Sequence, residues 1–205
     1  MREMLGFGMT EKADWINLSD GGHIENMGVY ELLRRRCKFI ISVDGEADPE
    51  STFHGHLTLV RHAQIDFGIR IEPELSELRP DSASRFSQSH TMMSRIHYPA
   101  VGGKPAGTGL ILYLKLSMTG DEEELVKRYR TLNPDFPHQT TLDQFFDEEQ
   151  FEAYRQLGVH VAEGLFHPAV LGNNTSPASV AEWFEALASN LLLPEKGVFP
   201  QTPLS

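Results

Sequence analysis

The 205 residues carry a formal net charge of −11 and 40% hydrophobic content, ordinary for a folded globular chain, and a surface so acidic argues against a nucleic-acid partner. Cys37 is the sole cysteine, which excludes an internal disulfide and fits a reducing compartment. No run reaches the roughly 18 apolar residues of a membrane-spanning helix, and MREMLGFGMTEKADW lacks the apolar stretch of a secretory signal, so a cytoplasmic or membrane-peripheral location is expected.

In chain order, Trp15-Ile16-Asn17-Leu18 reads as a short strand. Met27 to Arg36 reads as an amphipathic helix, with Asn26 as its N-cap and Val29, Leu32 and Leu33 on one face. Arg34-Arg35-Arg36 falls in the last turn, where the helix dipole favours cations. The Ile- and Val-rich run Lys38 to Val43 follows as a buried strand, giving a βαβ start. Asp20 and Asp44 then end strands at the same sheet edge, where open α/β sheets bind ligands.

A helix is expected over residues 53–65 and an alternating strand over Phe67 to Glu72. The Ser- and Pro-containing stretch 73–89 reads as loop. Thr91–Tyr98 and Gly109–Leu116, joined by the Gly- and Pro-rich loop AVGGKPAGTG, are expected to pair antiparallel. The remainder reads as helical, over 120–132, 142–156, 158–166 and 178–193, before a loosely ordered tail.

The chemistry-bearing residues concentrate in Asp20-Gly21-Gly22-His23, where two glycines let the backbone take positive φ beside a carboxylate. Position alone leaves two readings: a turn whose Asp caps the backbone, or a general base at a strand end. Asp20 and His23 could supply two parts of a Ser-His-Asp set, but no serine has glycine at both −2 and +2. The loop GGKPAGTG does not fit a phosphate-binding signature and reads as a hairpin connection. His23 and Glu25 form H-x-E without the P-C-x-x-C of zinc deaminases. His54, His56 and His62 read as surface or packed residues, and Asp44–Asp48 lacks the Gly and Glu of a calcium loop. No cofactor and no metal site are expected.

The stretch WINLSDGGHIENMGVYELLRRRCKFIISVDGEADP resembles the segment around the catalytic aspartate of large bacterial patatin-like phospholipases, whose pattern there is close to LSDGGHFENLGLYELLRRRC. The likeness continues through IDFGIRIE, GLILYLKLSMTGDE and NPDFPHQTTLDQFFDEEQFEAYRQLG, covering roughly residues 1–165. It implies a three-layer α/β/α fold, of which residues 1–165 form the C-terminal part and 166–205 a helical extension with its tail. It also implies a Ser–Asp dyad acting on a lipid or phospholipid ester. Asp20 would be the dyad base, with Gly21 and Gly22 completing its motif and His23 and Asn26 supporting it. The nucleophile elbow and oxyanion loop of that family are absent from this sequence. The chain is therefore expected to be inactive alone, to need a missing N-terminal half, and to be prone to self-association through an uncovered sheet edge. The alternative expectation is a non-catalytic interaction module on the same scaffold.

Overall fold

A computed structural model describes residue 22 and residues 25–140, 142, 144–172 and 176–192. The expected strand over 15–18 and the C-terminal tail lie outside these residues.

The described residues are mixed α/β and include a four-stranded sheet. The strands are β1 (Phe39–Asp44), β2 (Arg70–Ile71), β3 (Thr91–Tyr98) and β4 (Gly107–Lys115), in the order β1-β4-β3-β2. β1 runs parallel to β4, in a register that sets Phe39 against Leu110 and Asp44 against Lys115. β3 and β4 form the expected antiparallel pair, with Met92 opposite Tyr113 and Ile96 opposite Gly109.

β4 is apolar on both faces because both are covered. On one face Ile40, Ile96 and Ile111 pack with Val29 and Leu33 from α1 (Tyr30–Arg34) and its approach, and with Leu59 and Ala63 from α2 (His54–Phe67). On the other, Met93, Leu112 and Leu114 meet four helices: α3 (Glu124–Leu132), α4 (Glu148–Gly164), α5 (Pro168–Leu171) and α6 (Val180–Leu191). Val126, Leu157, Leu171, Phe184 and Leu187 carry that contact, so α5 and α6 share one core with α3 and α4. Phe39 stacks on Phe184 with centroids 4.7 Å apart.

Helix ends follow local chemistry. Asp147 accepts from the Gln150 N–H at 2.7 Å and caps α4. Ser179 accepts from Glu182 N while the Glu182 carboxylate accepts from Ala178 N, a capping box one residue out of its usual register. Gly68, with φ +64, closes α2 through bonds from its own N–H and that of Ile69 to Gln64 and Ala63.

Several boundaries differ from the sequence reading. The helix expected over 27–36 is only α1, because Gly28 (φ 70) and Arg36 (φ 61) take left-handed backbone on either side. Asn26 is not its N-cap; the cap position is Val29, and the Glu25 carboxylate accepts from the N–H groups of Met27 (2.8 Å) and Tyr30 (3.0 Å). The strand over 67–72 shrinks to β2 because α2 continues to Phe67 and ends on Gly68. The helices expected on either side of Leu157 are one, since Gly158 stays helical within α4. Among the described residues, no helix is long and apolar enough to cross a membrane.

Candidate functional site

The C-terminal ends of β1 and β4 lie side by side, the location where parallel α/β strands commonly present ligand-binding residues. Asp44 ends β1 and Lys115 ends β4, and both are buried. Lys115 Nζ donates to Asp44 Oδ1 at 3.0 Å and to the Glu46 carbonyl at 3.0 Å. Asp44 Oδ1 also accepts from Glu46 N at 2.8 Å, and Oδ2 accepts from the Tyr113 hydroxyl. Every oxygen of Asp44 is therefore engaged, which makes it an anchor rather than a free base. Burial pushes the Tyr113 hydroxyl pKa up, and the Asp44 carboxylate beside it adds to the rise.

His56 packs on the Tyr113 ring, centroids 4.3 Å apart, and is fully buried. Neither ring nitrogen has a hydrogen-bond partner among the described residues. Burial lowers its pKa to about 4, against the pull of Asp44, so the ring is neutral near pH 7. Farther along the same loop, the Asp48 carboxylate accepts from Thr52 N (2.9 Å) and Phe53 N (2.7 Å). Burial opposes its charge, but those bonds win and hold its pKa low. His138 Nδ1 accepts from Asp48 N at 3.4 Å, and burial, followed by the charge of Lys115, depresses its pKa.

A cavity of about 40 Å³ lies beside this network, lined by Ser51, Lys115, Ser117, Arg130 and His138 among others. That volume suits water, not an acyl chain, since ligand pockets run to several hundred Å³. Among the described residues, the side chains placed to hold a metal ion are His90, Asp121, Glu122 and His160.

Of the residues singled out in the sequence, Asp20, Gly21 and His23 lie outside the described residues. Gly22 is exposed. Asn26 is exposed too, and its side-chain amide donates to Glu46 Oε1 rather than capping a helix. Beside it, Ser42 Oγ donates to Met27 Sδ at 3.4 Å. The segment that follows Asp-Gly-Gly is thus tied to the end of β1. Glu46 links the two levels, because its backbone is held by Asp44 and Lys115 while its side chain holds Asn26. The sequence reading placed Asp44 at this edge and took His56 as a surface or packed histidine, of which the structure shows the packed form, but it missed Tyr113 and Lys115. Lys115 alone left a signal, as the one charge closing an otherwise apolar strand.

No family model, curated protein or solved structure matches this chain.

Proposed function

We propose that this chain supplies the aspartate of a Ser–Asp acyl-ester hydrolase of the patatin-like kind, acting on lipid or phospholipid esters. Asp20 is the general base in this reading. A serine held elsewhere in the complete enzyme attacks the ester carbonyl and passes its proton to the Asp20 carboxylate. The tetrahedral intermediate then expels the alcohol, which takes that proton back, and water hydrolyses the acyl-serine. Gly21 and Gly22 complete the motif of the aspartate, and Asn26 anchors the segment that follows.

The observation that carries the reading is the docking of Asn26 on Glu46 and of Met27 on Ser42. It ties the residues after Asp-Gly-Gly to a parallel strand end, the setting in which a strand-end carboxylate works as a base. A free aspartate, with a pKa of about 3.9, is a weak base for a serine hydroxyl, so the partner serine and oxyanion donors must supply much of the rate.

The test uses the natural full-length polypeptide from its source cells, assayed on short-chain and phospholipid esters. Asp20→Asn is expected to lower kcat by roughly 10³-fold or more without changing thermal unfolding. Hydrolysis that survives the substitution would sink the reading. A second reading, an interaction module without chemistry, draws on the exposed Ile41 (51%) and Val43 (62%) of β1. Full-length protein with no esterase activity, and no labelling by a fluorophosphonate probe, would favour it.

A further inference from the structure

Beyond β4 the chain turns through Ser117–Glu122, and side chains from three separate parts of the sequence converge on that turn. His90 lies just before β3, Asp121 and Glu122 lie between β4 and α3, and His160 is carried by α4. One ligand atom from each lies within 4.8 Å of the others. His160 Nε2 is 3.2 Å from Asp121 Oδ1, His90 Nε2 is 4.0 Å from Glu122 Oε1, and the two imidazoles meet edge to face with centroids 5.4 Å apart.

The hydrogen bonds there leave acceptors short of protons. Ser117 Oγ lies 3.4 Å from the Lys115 carbonyl and 3.0 Å from His90 Nδ1, and a hydroxyl proton given to the carbonyl leaves Oγ to accept from the Nδ1–H tautomer of His90. The opposite nitrogen, Nε2, then presents a lone pair to the cluster. It faces the Thr119 hydroxyl at 3.0 Å, and the same hydroxyl also faces Asp121 Oδ1 and, at 3.2 Å, Glu122 Oε1. In that tautomer one hydroxyl proton serves three acceptors, and in either tautomer it serves the two carboxylates.

Glu122 sharpens the imbalance. Its side chain is 0% exposed, and its other donors are the neutral N–H groups of Thr119 (2.6 Å) and Gly120 (2.9 Å). Among the described residues, His90 is the basic group within ion-pair range of it. A buried carboxylate facing only neutral groups is costly, and a bound cation relieves that cost.

We propose that His90, Asp121, Glu122 and His160 form a binding site for one divalent transition-metal ion, with Zn²⁺ the best fit. Two imidazoles with two carboxylates favour Zn²⁺ over the oxygen-seeking Mg²⁺ and Ca²⁺. Zinc–ligand distances of about 2.0–2.1 Å require ligand atoms roughly 3.4 Å apart, so the more widely separated ligand atoms must close by up to about 1.4 Å. Asp121 and His160, whose side chains are 75% and 27% exposed, have the freedom to close. Four protein ligands leave no open position, the arrangement of a structural rather than a catalytic ion. Such an ion pins α4 to the turn after β4 and to the start of β3. Ser117 acts from outside the ligand set by orienting His90.

Untagged 205-residue protein, stripped with chelator, is titrated with Zn²⁺ by calorimetry and its unfolding temperature is followed. One ion per chain and a rise in unfolding temperature are expected. His160→Ala and Asp121→Asn should each weaken binding at least about tenfold, and Ser117→Ala by about 10–100-fold. Both ligand substitutions fall on partly exposed side chains, so circular dichroism should show an unchanged fold. His54→Ala, at an exposed histidine, should bind as the parent does. Absence of stoichiometric binding, or equal binding by the His160→Ala/Asp121→Asn double variant, would overturn the proposal.

Discussion

At the scale of single residues, the least accommodated group in the described structure is His56. Its ring is buried against Tyr113, and its pKa falls from 6.5 to about 4. The unfolded chain therefore binds the proton first as pH drops, and this residue's contribution is lost on acidification. Stability should fall between about pH 6.5 and pH 4, by at most about 3 kcal/mol from this group alone. His56→Leu should flatten that part of the acid limb relative to the parent protein, measured by urea unfolding across the range. Identical slopes would mean that the ring finds a partner or water within the fold. Asp44 and Lys115 differ in kind: each is buried, but each is paired, so their cost is met within the pair.

At the scale of elements, glycines mark where the backbone has room and where it does not. Gly158 sits in the middle of α4 with open space where a Cβ would go. Gly158→Ala should stabilise the protein by about 0.5–1 kcal/mol through reduced backbone entropy in the unfolded chain. Gly109 in β4 is the reverse case. A Cβ there would meet the Lys38 carbonyl at 2.9 Å, the Cys37 carbonyl at 3.1 Å and the Tyr98 ring at 3.1 Å. Gly109→Ala should cost about 1–3 kcal/mol, because two of those neighbours are backbone and cannot swing away. Thermal unfolding of the two variants side by side checks both signs.

Element existence was largely legible from pattern. Two apolar runs, 91–98 and that of β4, joined by a Gly-rich loop, announced an antiparallel pair, whereas the run Lys38 to Val43, read as a buried strand, is covered on one face only among the described residues: Ile40 and Ser42 point inward while Ile41 and Val43 are exposed. Boundaries were less legible. Periodicity carries no mark for the left-handed backbone at Arg36, and Gly158 resembled a helix break until packing from both ends kept the helix whole. The polar clusters were least legible of all. Glu122 reads as one acid in an acidic run, and nothing in its spacing announces that His90 and His160 meet it from 32 and 38 residues away. Asp44 and Lys115 are likewise brought together only by strand register.

At the scale of the whole molecule, that register has a kinetic consequence. β3 and β4 are neighbours along the chain, whereas the Asp44–Lys115 pair joins residues 71 apart. Closing the longer loop costs more chain entropy and is repaid only when β1 docks along the length of β4. The hairpin is the natural nucleus, and β1 the late arrival. Ile96→Val should therefore slow folding, whereas Ile40→Val should mainly speed unfolding, a contrast that chevron plots of the two variants resolve. Comparable folding-rate changes in both would instead place β1 in the nucleus. With β1 last, Asp44, Glu46 and the anchored Asn26 are assembled at the end of folding, so the edge that carries the proposed chemistry is the final part of the protein to become native.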